Sequence, residues 1–209
     1  MKTIIKTEAT LPCLEKVRKR KLSWEKFSKD CKEEYFDVRE KATFEQNQEC
    51  AYTGLWLGED SSFQNHLDHF HLRSIYPKET FDWLNLFAAV HNKPYGSGSK
   101  DAKIKKNKKF ADEQYKTFWS PLEPNLKEKF RYRTDGWMEP NPDLEDSIKE
   151  KATETIRIYH LNHPDLCRRR EELIRSIQSL KDQNVPEEKV REAFSTSGFS
   201  SVIEFELAQ

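Results

Sequence analysis

Four of the six histidines, His66, His69, His71 and His91, fall in one stretch of the chain together with Asp68, Asp82, Asn85 and Asn92. Side chains of these types serve two chemistries. A carboxylate or amide oxygen suits a hard cation such as Mg²⁺, and an imidazole with a pKa near neutrality takes a proton from water. The run His66-Leu67-Asp68-His69-Phe70 reads as a strand. Strand side chains alternate faces, so His66 and Asp68 share one face and His69 takes the other, unless a turn or bulge begins at the pair. Neighbouring Asp68 and His69 can then do different work. The bland reading is that such a string arises by chance on a surface. By the same weighing, His71 reads as a surface or phosphate contact, and Asp82 as a second metal ligand or, more commonly, a helix N-cap. His160 and His163 read as capping or surface residues, and Trp24, Trp83 and Trp119 as core.

The elements that must position this cluster are mostly helical. Ser23 is a fitting N-cap for a helix carrying Trp24, Phe27, Cys31 and Tyr35 at three- to four-residue steps. A second helical stretch is expected over 37–46, and a buried helix over 81–91. The first twenty residues show no period. The glycine, serine and lysine content of 97–110 predicts an exposed segment outside the core. Over 127–138, Phe130, Tyr132 and Trp137 alternate around Thr134-Asp135-Gly136, the residue chemistry of a tight turn, which predicts a β hairpin. Helices follow at 144–159, 165–180 and 186–194. Leu173, Ile177 and Leu180 share a face that core packing claims by default and a docking partner claims otherwise.

Composition narrows the class. With 35% apolar and 34% charged residues, the chain can build a core under a heavily ionised surface. No run approaches the length of a membrane helix, and the first residues lack the apolar stretch of a signal peptide, so a cytoplasmic location is expected. Cys13, Cys31, Cys50 and Cys167 form no C-x-x-C pair and read as free thiols. The 36 basic and 36 acidic side chains cancel, so bulk charge names no polyanion partner. The charges are nonetheless clustered. Lys16, Arg18, Lys19, Arg20 and Lys21 form one cationic run, and six lysines between 100 and 109, among them Lys100, Lys103, Lys105 and Lys106, form another. Two such runs on either side of the histidine cluster point toward phosphate binding.

At these residues the chain resembles the HNH, or ββα-metal, endonucleases. The likeness is carried by His66-Leu67-Asp68-His69-Phe70, Tyr76-Pro77, Phe81-Asp82-Trp83-Leu84-Asn85-Leu86-Phe87, His91 and Lys100. Cys50-Ala51-Tyr52-Thr53, Trp119-Ser120-Pro121-Leu122, Asp135-Gly136, Thr155-Ile156 and Leu161-Asn162 narrow it. They resemble the PtuB-type nuclease subunits of Septu and retron anti-phage systems, over about residues 22–175. The resemblance implies an α+β, predominantly helical fold: an HNH ββα-metal core embedded in a helical domain, with the extra hairpin near 127–138. It divides the chain into an N-terminal helical segment (1–48), the nuclease core (49–110) and a hairpin with C-terminal helices (111–209), all in one compact domain.

The resemblance also implies roles. His69 is the general base, Asn85 braces the loop and orients that base, and His66 lies beside the metal or the scissile phosphate. Asp68 binds one divalent ion, Mg²⁺ or Mn²⁺. The position expected for the helix-borne ligand is Pro94, which leaves His91, the preferred one, and Asn92 as the nearest groups able to coordinate. Lys100, Lys103, Lys105 and Lys106 are the expected nucleic-acid contacts. Relatives carry cysteine pairs for a structural zinc where this chain has Thr53 and Tyr95, so no such zinc is expected. The implied partners are a nucleic acid substrate, DNA or RNA, a PtuA-like ATPase and, in retron versions, a reverse transcriptase with its msDNA; no membrane is involved. The competing expectation is a non-catalytic nucleic-acid-binding adaptor on a degenerate HNH scaffold.

Overall fold

The computed structural model describes residues 1–59, 61–91 and 93–209. The chain is α+β, about half helical, with two small antiparallel sheets. Helices α1 (Pro12–Lys19), α2 (Trp24–Asp30) and α3 (Lys32–Glu45) lead to the two-stranded sheet of β1 (Asn65–His69) and β2 (Leu86–Val90). Helices α4 (Ser97–Lys103) and α5 (Lys108–Lys116) follow, then the hairpin of β3 (Phe130–Tyr132) and β4 (Met138–Pro140). The chain closes with α6 (Asp146–Tyr159), α7 (Pro164–Asp182), α8 (Glu187–Ala193) and α9 (Ser200–Leu207). Among the described residues no helix is long and apolar enough to cross a membrane.

The sheet that carries the histidine cluster lies against α3. Its register pairs His66 with Ala89, Asp68 with Phe87 and His69 with Leu86. The buried side chain of Gln46, just past α3, completes the outer edge of β2. Its Nε2 donates to the carbonyls of Ala88 and Glu49 at 2.8 Å each, and its Oε1 accepts from the Ala88 N–H at 2.8 Å. The amide thus pairs the buried Ala88 N–H and shares the Ala88 carbonyl with the Ala51 N–H, which reaches it at 3.1 Å.

Several sequence expectations are corrected. Residues 81–91 are not a helix: a 3-10 turn at Trp83–Asn85 runs into β2. All five residues of β2 are buried, and a short continuous apolar run does not distinguish a buried strand from a buried helix. The segment 97–110 is not uniformly exposed. It opens with α4, in which Ser97, Ser99 and Lys100 are buried, and the continuously exposed stretch begins after buried Ile104. The first twenty residues contain α1, and before it a strap whose Met1 and Ile4 are core. The strap is held by its backbone, with the Ile4 N–H donating to the Pro121 carbonyl at 2.8 Å, and such a segment leaves no periodic trace. The helix opened by Ser23 ends at Asp30, and α3 begins after Cys31 instead of at 37. Helix α9, which the sequence pattern does not mark, packs on α7, so Leu173 and Ile177 are core.

Other expectations match. Ser23 Oγ accepts from the Lys26 N–H, Asp82 caps the turn at Leu84, and His163 caps α7. His160 ends α6 in the left-handed conformation. Trp24, Trp83 and Trp119 are buried, and the four cysteines are free thiols. In the β3–β4 hairpin Gly136 has φ +74°, and a Cβ there would stand 2.0 Å from the Cys167 carbonyl oxygen, so the turn admits glycine alone where it rests on α7.

Candidate functional site

The end of β1 opens into a cleft of about 900 Å³ whose lining includes His66, Asp68, His69, His91, Arg73 and Lys106. Two residues that alternate across a strand reach this one cavity because the chain bends immediately after His69. The bend is pinned by Asn85, which is buried. Its Oδ1 accepts from the His71 N–H at 2.7 Å, and its Nδ2 donates to the carbonyls of His71 and Glu79 at 3.1 and 3.2 Å. Its own carbonyl accepts from the Phe70 N–H at 2.9 Å. One amide therefore ties both ends of the 71–79 loop to the foot of β2.

His69 is buried, and its ring meets Trp24 edge-on at 4.3 Å. Nε2 lies 2.9 Å from the Thr80 carbonyl oxygen. A carbonyl only accepts, so Nε2 carries the proton and the lone pair of the neutral ring sits on Nδ1. Nδ1 has no hydrogen-bond partner among the described residues. Burial, opposed by the Thr80 carbonyl and the Asp68 charge, pulls the imidazole pKa down to about 4. The ring is then neutral at physiological pH, the state that accepts a proton.

Asp68 Oδ2 is doubly engaged: the Tyr52 hydroxyl donates at 2.5 Å and the Lys100 ammonium at 2.8 Å. Burial first, then the Asp68 charge, raises the Tyr52 pKa well above its ordinary value, so the phenol keeps its proton. Asp68 Oδ1 has no such partner among the described residues. His66 Nδ1 donates to the Ala89 carbonyl across the sheet at 3.0 Å, which leaves Nε2 as its free nitrogen; burial lowers its pKa. His91 is exposed, its ring 4.9 Å from that of His66. Asn92, the alternative ligand, lies outside the described residues.

Of the expected ligands, the described residues offer a dication Asp68 Oδ1 and the imidazoles of His66 and His91, and Asp101 also lines the cleft. Among the described residues no three His, Cys, Asp or Glu side chains gather as a metal-holding group. A Mg²⁺ or Mn²⁺ ion caged by protein alone does not fit. An ion shared between one carboxylate and substrate phosphates, the usual way Mg²⁺ is bound at phosphoryl sites, does fit.

The four candidate lysines are dispersed. Lys100 is fully buried on Asp68 and cannot meet a nucleic acid at the surface. Lys103 Nζ donates to the Arg157 carbonyl away from the cleft. Lys105 lies over the Phe110 ring at 5.5 Å. Lys106 alone of the four lines the cleft. The other cationic run, Lys16 to Lys21, is exposed except for Val17 and leads directly into Leu22 and Ser23, which line the cleft edge. Sequence reasoning passed over Tyr52, Arg73 and Asp101 as site residues. Only the string Cys50-Ala51-Tyr52-Thr53 had marked the first. Thr53 and Tyr95, where relatives carry cysteines, are both buried, and the Tyr95 hydroxyl donates to Asp165 at 2.8 Å.

No protein-family model matches this chain, and no curated protein matches it.

Proposed function

We propose that this protein is a metal-assisted HNH-type endonuclease that hydrolyses phosphodiester bonds in DNA or RNA. One observation carries the reading. A neutral imidazole with its lone pair on Nδ1 and a carboxylate with one free oxygen line the same cleft at the end of β1, beside a loop clamped by an asparagine. The order β1, β2, α4, with Lys100 of the helix touching Asp68 of the first strand, supports a ββα core. His69 takes the proton of the attacking water, and its Thr80 contact holds the tautomer that makes this possible. Asp68 would hold a divalent ion, which when bound would stabilise the charge that builds on the phosphoryl oxygens and the leaving group. Arg73 and Lys106 meet backbone phosphates. The resemblance extends the proposal to an effector subunit of an anti-phage complex with a PtuA-like ATPase and, in a retron setting, a reverse transcriptase and msDNA.

The test is cleavage of end-labelled DNA and total RNA by the co-expressed complex in Mg²⁺ or Mn²⁺. His69→Ala is expected to lower the rate by about a hundredfold or more while circular dichroism and assembly stay unchanged. Equal cleavage and equal phage protection by the variant and wild type would sink the reading. The engagement of Asp68 by Lys100 favours one alternative, a binding adaptor that does not cut; it predicts nucleic-acid retention with no new ends under any divalent ion.

A further inference from the structure

Lys100 has no task in the mechanism above, yet it is fully enclosed against Asp68, with 0% of its side chain exposed. Its Nζ donates to Asp68 Oδ2 at 2.8 Å, to the Phe70 carbonyl at 3.1 Å and to the His69 carbonyl, and lies 3.1 Å from Asp101 Oδ1. Every partner is an oxygen, and together they hold the ammonium much as oxygen ligands hold a hard cation. The backbone that delivers it is set by α4. Gly96 starts the helix at φ +63° with its N–H on the Tyr159 carbonyl at 2.8 Å, and Ser99 Oγ donates to the Ile158 carbonyl at 2.8 Å. The two carbonyls that Lys100 holds belong to the residues at which the chain leaves β1.

We infer that Lys100 is a charge lock on the metal-binding carboxylate, so that the free protein takes up a divalent cation poorly and the ion enters together with nucleic acid phosphate. This rests on the nuclease reading and adds a regulatory property to it. The two oxygens of a carboxylate share one delocalised charge. An ammonium on Oδ2, reinforced by the Tyr52 hydroxyl, weakens the attraction of Oδ1 for a second cation and adds direct repulsion at short range. A phosphate brings the negative charge and oxygen ligands that the locked carboxylate lacks, so ion and substrate bind cooperatively. Lys100 is then a positioning residue acting through Asp68. A merely structural lysine predicts the opposite sign: its loss would loosen residues 68–70 and weaken metal binding.

The experiment titrates Mn²⁺ into the full chain by electron paramagnetic resonance. All proteins carry His69→Ala so that nothing is cut, and each is run alone, with a short DNA and with its RNA counterpart. Lys100→Met is expected to bind Mn²⁺ about tenfold or more tighter than its parent without nucleic acid, and the parent is expected to gain about tenfold or more when DNA or RNA is added. Equal or weaker binding by Lys100→Met with an unchanged circular dichroism spectrum overturns the lock, as does a parent affinity indifferent to both nucleic acids. If Lys100→Met does not fold, the parent with and without nucleic acid decides alone. Tight, uncoupled binding by the parent ends the lock and spares the nuclease reading; no Mn²⁺ bound in any sample ends both.

Discussion

At the scale of single residues, the site is defined by which lone pairs and oxygens are already spent. His69 has spent Nε2 on Thr80, His66 has spent Nδ1 on Ala89, and Asp68 has spent Oδ2 on Tyr52 and Lys100. Asn85 is spent entirely on the loop and touches no reacting group. Asn85→Ala is therefore expected to cut turnover by about 10- to 100-fold and to make the 71–79 loop a site of limited proteolysis, which gel analysis after brief protease exposure would reveal. A second buried cation sits outside the site. Lys6 packs over Trp83 at 3.3 Å and stands 3.7 Å from Glu45 Oε2, both side chains almost inaccessible. Burial, outweighing the Glu45 charge, lowers its pKa to about 7. Folding thus favours the neutral amine. Below pH 7 the cost of burying the charge is present in full, and as pH rises toward the unfolded value of about 10.4 the unfolded chain binds more protons and stability grows. Urea midpoints at pH 7 and 9.5 are expected to show wild type gaining on Lys6→Met, by a few kcal/mol at most.

At the scale of elements, the cluster was legible because β1 is short and polar where it faces the cleft. The hairpin of β3 and β4 was legible from Thr134-Asp135-Gly136, and its strands lie within two residues of the expected span. The turn also shows what the sequence could not carry. Gly136 is needed for its positive φ, which turn chemistry predicts, and for its seat against the Cys167 carbonyl, which only α7 decides. Gly136→Ala is expected to destabilise by about 2 kcal/mol or more, read as a lowered urea midpoint at unchanged slope. Strand β2 is the opposite case. Leu86-Phe87-Ala88-Ala89-Val90 carries no alternation because both faces are buried, and the pattern that separates helix from strand vanishes there.

At the scale of the whole molecule, the ends of the chain meet. Lys2 pairs with Glu49 at 2.9 Å, and the same carboxylate accepts from the Ser200 N–H and hydroxyl. Helix α9 and the first residues thus share one anchor beside the start of the histidine-bearing region. The cationic side chains are spread thinly around the cleft, and Arg73 is already paired with Glu25 at 2.7 Å. Under the proposed nuclease reading, nucleic acid binding by the isolated chain is then expected to be weak and only shallowly salt-dependent, because few phosphates are neutralised. Arg73→Ala and Lys106→Ala are each expected to reduce the slope of log affinity against log salt by up to about 1, measured by fluorescence anisotropy from low to physiological salt. Tight binding with a slope unchanged by either substitution would contradict the phosphate contacts proposed for Arg73 and Lys106.

The sequence alone singled out which side chains are candidates for chemistry, since an imidazole, a carboxylate and an amide at the spacing of His69, Asp68 and Asn85 limit what a site can do. It also determined the caps and the hairpin turn, whose physics is local. Tertiary structure alone decided that Lys100 is an interior cation and not a surface one, because the Asp68, His69 and Phe70 oxygens that accept from it lie about thirty positions earlier in the chain. It likewise decided that 86–90 is a strand, through pairing with β1, and that His69 is neutral, through burial beneath Trp24. Pairing, burial and charge compensation are sums over neighbours distant in sequence, and a linear pattern does not contain them.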